Sequence, residues 1–169
     1  MGARFETKYL YGLSERESQL LLQDTLTRDP YRFFNIDYYA HQIGDARGEY
    51  GSIPYITGHT QQNDGSILWV NSADTWTDLV NSADGSFLSN FVSESGQLEL
   101  FVFSSESPKT QLNNLATITG NAPMPPIEAL GYHFSKYADV SADIMMQRDS
   151  DFESYEFPVD VYWMDILYS

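Results

Sequence analysis

With 169 residues, 42% hydrophobic and 15% aromatic, the chain can bury a core, and its length suits one domain or a small domain with a piece of another. A net charge of −15 disfavours nucleic acid and anionic membrane surfaces, leaving neutral or cationic ligands. The absence of cysteine excludes disulfides, thiolate metal sites and cysteine nucleophiles.

No apolar run approaches the ~20 residues of a membrane span. Met1–Leu10 lacks an apolar h-region, so no signal peptide is expected within this sequence. The first aromatic stretch, Lys8–Gly12, ends at a glycine, and a polar turn follows through Ser18. Gln19–Thr25, with Leu20, Leu21 and Leu22, fits a strand or a short helix equally. Asp29-Pro30 marks a turn, and Tyr31–Tyr39 is aromatic and β-prone. Glu49–Ile56 reads as a short strand that Pro54 places at an edge or a bulge. Asn63-Asp64-Gly65-Ser66 predicts a hairpin turn feeding a buried strand at Ile67–Asn71. Thr75–Val80 alternates loosely before a turn at Asp84-Gly85. Phe87–Ser93 and Gln97–Phe103, flanking Glu94-Ser95-Gly96, predict a further hairpin. Eight or so short strands between Lys8 and Phe103, with no helix among them, predict an antiparallel β-sandwich.

Beyond Phe103 the pattern changes. Ser107 is an N-cap with Pro108 at the first helical position, and Gly120 closes the helix. Leu112, Leu115, Ala116 and Ile118 would form its apolar side. Asn121–Pro126 is a stiff linker and the expected domain boundary, dividing residues 1–120 from residues 127–169. A strand at Ala129–Phe134, a helix at Ser141–Tyr155 and a nearly all-apolar strand at Phe157–Ile166 predict one right-handed parallel crossover. The last strand is expected to be buried on both faces, with Asp165 near its carboxyl end. From this pattern alone Asp165 serves equally as a ligand-binding carboxylate or as the cap of a loop.

Seven segments in one order carry a wider resemblance: LYGLSERES with LQDT, PYRFFNIDYY, EYGSIPYITGH, ILWVNSADTWTDL, SESGQLELFVF, ATITGNAPMPPIEALGYHFSKY and FPVDVYWMDI. The chain resembles the N-terminal part of the retaining α-glucosidases of glycoside hydrolase family 31, nearest the branch that trims glucose from N-glycans in the endoplasmic reticulum. The resemblance implies a galactose-mutarotase-like sandwich, then the first β-α-β unit of an incomplete (β/α)8 barrel. It implies that the nucleophile and acid/base lie past Ser169, so none is assigned here. It implies an α-glucoside or N-glycan glucose as ligand, the remainder of the barrel and a β-subunit as partners, and no cofactor or metal.

Residue by residue, the resemblance implies that Asp165 binds hydroxyls of the terminal glucose and that Ile166 forms an apolar wall. Tyr137 stands where the family usually has tryptophan, and Lys136 where it has arginine; a tyrosine still stacks on a sugar face. Ala138 and Asp139 replace the usual asparagine and tyrosine. These departures leave open a non-catalytic carbohydrate-binding sandwich or an inactive truncated copy. Asp37 and Tyr39 match a loop that shapes the aglycone side; an ordinary strand-end turn is their alternative. His41, His59 and His133 lack metal-ligand spacing. Asp74 and Asp78 are expected on a solvated face, and Trp69 in the core rather than as a sugar platform.

Overall fold

The computed structural model describes residues 1–38, 43–45, 47–138 and 141–168. The chain divides into two compact units, Met1–Gly120 and Asn121–Ser169.

Among its described residues the first unit is an antiparallel sandwich of eight strands: β1 (Gly2–Phe5), β2 (Leu10–Ser14), β3 (Tyr31–Phe33), β4 (Ile53–His59), β5 (Asp64–Trp69), β6 (Thr75–Asn81), β7 (Phe87–Ser93) and β8 (Leu100–Ser105). One sheet runs β1-β7-β6-β3 and the other β2-β4-β5-β8. The two-residue period of the strands sends Phe5, Leu10, Tyr31, Phe33, Ile56, Ile67, Leu79, Phe87 and Phe91 into one core between the sheets. Trp69 stacks on Phe91 of the opposite sheet with ring centroids 5.6 Å apart, and its indole donates to Ser93 Oγ at 3.0 Å. Trp69 is therefore a core residue, as expected.

Several local expectations are corrected. Phe87–Ser93 and the strand after it do not pair: β7 lies beside β6 and β1, and β8 beside β5. Glu94-Ser95-Gly96 is instead a crossover between sheets, held by Asn71 Nδ2, which donates to the Ser95 and Gln97 carbonyls. The β4–β5 turn falls earlier than Asn63–Ser66, at Thr60–Asn63, where Thr60 Oγ1 accepts from the Gln62 and Asn63 amides. Asp64 and Gly65 already belong to β5, opposite His59 and Gly58.

Pro54 does mark a bulge, but on an interior strand. Gly12 pairs with Ile56 and Ser14 with Ile53, so Pro54 and Tyr55 together face Leu13 alone. Gln19–Thr25 is neither strand nor helix. Its amides go elsewhere, Leu22 to the Leu10 carbonyl and Thr25 to the Leu79 carbonyl, which buries Leu22 and leaves Leu20 exposed.

Helix α1 (Pro108–Thr119) has the expected caps: Ser107 Oγ accepts from the Thr110 amide, and Gly120 ends it at φ 79°. Its buried side is only part of the expected apolar side: Gln111 is buried, Leu115 and Ala116 are half-buried, and Leu112 and Ile118 are exposed. The helix lies along β8 and β5, on a sheet face that carries Thr57 and Ser66, which share a 2.7 Å hydroxyl contact.

The second unit opens with a 3₁₀ turn at Ile127–Leu130, which takes the first two residues of the strand expected at Ala129–Phe134, and the strand starts later, as β9 (His133–Ser135). Helix α2 (Ala142–Ser154) begins at the N-cap Ser141, and β10 (Val161–Trp163) then pairs parallel to β9. The strand–helix–strand order and the parallel pairing are as expected. Tyr132, Phe134, Phe152, Phe157 and Tyr162 form an aromatic cluster between strands and helix. β10 is not buried on both faces: Val161 and Tyr162 are half-buried and Trp163 is exposed, because α2 covers only one face. Among the described residues no helix is long and apolar enough to cross a membrane.

Asp160 sets the start of the parallel pair. Its Oδ2 accepts from the Tyr132 amide at 2.8 Å, while its own amide donates to the Tyr132 carbonyl at 3.0 Å. Gly131 is required there, since a Cβ on it would meet Asp160 Oδ2 at 2.1 Å. Asp160→Ala is expected to speed amide hydrogen exchange at Tyr132 and Val161 about fivefold, the effect of losing one exposed hydrogen bond of ~1 kcal/mol, and to leave the sandwich amides unchanged. Unaltered exchange at both positions would rule this anchor out.

Candidate functional site

The carboxyl edge of the β9/β10 pair carries the second unit's candidate residues. Trp163 is in register with Ser135. Asp165 lies two residues past Trp163 and Tyr137 two past Ser135, so the two hold equivalent places beyond the strand ends. In parallel β/α architectures the ends and loops at this edge carry the chemistry, because side chains there are held by the sheet yet open to ligand.

Asp165 is half-buried. Its Oδ1 accepts from the Ile166 amide at 2.7 Å, and its carbonyl accepts from the Tyr168 amide at 3.1 Å, which closes the 3₁₀ turn Ile166–Tyr168. The carboxylate is thus oriented by the backbone through one oxygen. Both readings of the sequence meet here: Asp165 caps a turn, and it does so with one oxygen only. Tyr137 is 60% exposed and Ile166 72% exposed, so both are open to a ligand. Lys136 parts from its neighbour and lines a cleft of about 310 Å³ with Phe134, Arg148, Asp151, Phe152 and Tyr155.

On the opposite side of β10, Tyr162 donates to Asp149 Oδ1 at 2.9 Å. Loss of hydration against its aromatic neighbours, with the Asp149 bond second, pushes its phenol up to about 12. Tyr162 therefore stays protonated at neutral pH and serves as a tie to α2.

In the first unit, Asp37 is exposed, and its Oδ1 accepts from the Tyr50 hydroxyl at 2.7 Å. That bond raises the Tyr50 phenol above its ordinary range. Asn35 Nδ2 donates to the Tyr50 carbonyl and the Ile36 amide to the Glu49 carbonyl, so the base of this loop is closed by its own chain. Tyr39, His41 and Asp139 lie outside the described residues. The two groups of candidates belong to different units.

The acidic pair Asp74 and Asp78, just before and within β6, is accounted for structurally. Asp74 pairs with Arg32, whose guanidinium lies over the Phe34 and Trp76 rings; Asp78 accepts from Thr25 Oγ1 at 2.8 Å. Neither is simply solvated, as the sequence had suggested. Sequence reasoning missed the contact between His59 Nδ1 and the fully buried Asp64 Oδ1 at 2.5 Å. The available signal was their facing position across a short turn. Among the described residues no group of three or more His, Asp or Glu side chains converges as metal ligands.

Two family models match the chain in sequence order. Residues 3–78 match the glycosyl hydrolase 31 N-terminal galactose mutarotase-like domain, and residues 122–169 the glycosyl hydrolases family 31 TIM-barrel domain. The chain is 29% identical to glucosidase 2 subunit alpha of Schizosaccharomyces pombe, over 95% of its own length and 18% of that protein. It is 28% identical to human neutral alpha-glucosidase AB, over 94% of its length and 19% of that protein. Among solved structures it resembles glucosidase II alpha subunit bound to alpha3-Glc2, with a TM-score of 0.88 at 29% identity, covering 99% of this chain and 20% of that one. It equally resembles the catalytic chain of an ER glucosidase II heterodimeric complex with the binding domain of the regulatory subunit, with a TM-score of 0.87. The chain thus spans about a fifth of the length of these relatives.

Proposed function

This chain belongs to glycoside hydrolase family 31, and on that basis we propose that it supplies the sandwich and the first β-α-β unit of a retaining α-glucosidase that removes terminal α-linked glucose, as in N-glycan trimming. Residues 1–120 are the sandwich with its closing helix, 121–126 the joint, and 127–169 the start of the barrel. The observation that carries the reading is the parallel β9/β10 pair with Asp165 just past its carboxyl edge, in a chain whose two family matches run in the family's order.

The chemistry follows from what each residue offers. A carboxylate has about four lone-pair sites, and hydrogen bonds to a charged acceptor are roughly twice as strong as neutral ones. With Oδ1 held by the Ile166 amide, Oδ2 is the atom that accepts from glucose hydroxyls. Tyr137 and Ile166 supply an aromatic and an apolar wall to the same subsite. The family resemblance assigns Asp37 and Tyr39 to the aglycone side. The nucleophile and acid/base, which retaining hydrolysis places about 5–5.5 Å apart, come from later barrel strands. The solved ER heterodimer supports the endoplasmic reticulum as compartment and a regulatory subunit as partner.

The 169-residue chain by itself is expected to give no turnover of 4-nitrophenyl α-glucoside, since neither carboxylate is in it. Replacing the matching fifth of the S. pombe subunit with these 169 residues is expected to give an active chimera. Turnover by the chain alone, or a folded but inactive chimera, would overturn the assignment.

A further inference from the structure

The face of the β9/β10 pair turned away from α2 carries polar contacts centred on His133. Trp163 Nε1 donates to His133 Nδ1 at 2.8 Å, with the two rings 5.8 Å apart. The other ring nitrogen, His133 Nε2, lies 3.2 Å from the Glu128 carbonyl. Phe134 and Tyr162 face the helix, so strand alternation puts His133, Ser135, Val161 and Trp163 together on the helix-free face. In a (β/α)8 barrel that face is the interior.

An indole N–H only donates, and a backbone carbonyl only accepts. Nδ1 must therefore present its lone pair and Nε2 must carry the proton. Only the neutral Nε2–H tautomer satisfies both partners. The imidazolium, and the other neutral tautomer, would each point an N–H at the indole N–H.

We propose that the Trp163–His133–Glu128 chain makes His133 a positioning residue for Asp165. β9 and β10 pair over only three residues on each strand, so few backbone bonds fix their register. The bond runs diagonally from the first residue of β9 to the last of β10 and resists sliding of one strand along the other. A slip of one residue moves the strand end by about 3.3 Å, more than the range of a hydrogen bond. Asp165 lies two residues beyond the indole that the bond holds. The positioning role rests on the proposed reading of Asp165 as a glucose-binding carboxylate; the tautomer and the bond do not.

The test is long-range ¹H–¹⁵N NMR on the full 169-residue chain. His133 is expected to show an unprotonated Nδ1 and a protonated Nε2, with slow exchange of the Trp163 indole proton. His133→Asn keeps an acceptor near the Nδ1 position and should retain slow exchange at that proton and at the Ile166 amide. His133→Phe keeps a ring without an acceptor and should speed both about fivefold, with sandwich amides unchanged. If His133→Phe unfolds the second unit, Trp163→Phe decides: it must release His133 into mixed tautomers and speed Ile166 exchange. An Nδ1–H tautomer in the parent, or unchanged Ile166 exchange in the deciding variant, overturns the proposal. In the chimera, a His133→Phe loss confined to KM, recovered in His133→Asn, supports positioning. A parent-like KM in His133→Phe, with the Nε2–H tautomer found in the parent, overturns the positioning role, and an Asp165→Asn chimera with parent-like kinetics would instead sink the reading of Asp165 alone.

Discussion

Asp165→Asn in the active chimera is expected to lower kcat/KM on an α-glucoside by ~10²- to 10³-fold, with no change in melting temperature. Asparagine keeps an oxygen for the Ile166 amide, so the 3₁₀ turn survives. The lost atom is Oδ2, replaced by an NH₂ group that donates where glucose hydroxyls also donate. Hydrogen bonds to a charged group contribute about 1.5–3 kcal/mol each, and loss of two near the lower end of that range, about 3–4 kcal/mol together, is a 10²- to 10³-fold effect. Steady-state kinetics with thermal melting on the same preparation checks both halves. A variant within threefold of the parent would return Asp165 to the role of a turn cap.

Gly12→Ala is expected to destabilise the sandwich by ~3 kcal/mol or more, lowering its melting temperature by roughly 10 °C. Gly12 has φ 111°, outside the range that side-chain-bearing residues favour, and a Cβ there would stand 2.2 Å from the Tyr55 carbonyl oxygen. The obstacle is backbone, so it cannot rotate away. The close approach exists because β4 bulges at Pro54 and Tyr55 opposite this point. Gly85→Ala is the control: its φ is 83°, but nothing lies within 4 Å, so only the dihedral cost of about 1 kcal/mol applies. Equal melting temperatures for the two variants would exclude the steric account.

The parts legible in sequence are those decided by local chemistry. Ser107-Pro108 and Gly120 mark α1 because a cap is a bond between near neighbours. Ser141 marks α2 for the same reason. The β7–β8 pairing was misjudged because two strands on either side of a turn look alike whether they pair or part. The choice lay with distant partners, β1 and β5, and with Asn71 holding the crossover. The buried side of α1 was read only in part because helical spacing alone does not say which row of side chains meets the sheet: Gln111 is buried and Leu115 half-buried, while Leu112 is exposed.

At the candidate site, the strand pattern located Asp165 at a sheet's carboxyl edge, and the structure adds the Ile166 bond that orients it. Tyr137 rested on family resemblance alone; its register with Asp165 appears only once β9 and β10 are paired. The Trp163–His133 bond joins residues 30 apart in sequence, and nothing local foretells it. The general signal was an indole donor on one strand and an imidazole acceptor on its neighbour.

The partner of β1 is β7, with Gly2 opposite Asn90. On a ribosome adding about 5–20 residues per second, the first strand is made several to nearly twenty seconds before the segment that completes its ladder. Throughout that interval its backbone donors and acceptors are open to any other extended peptide. That interval is the one in which a holding chaperone would shield the unpaired strand from wrong partners.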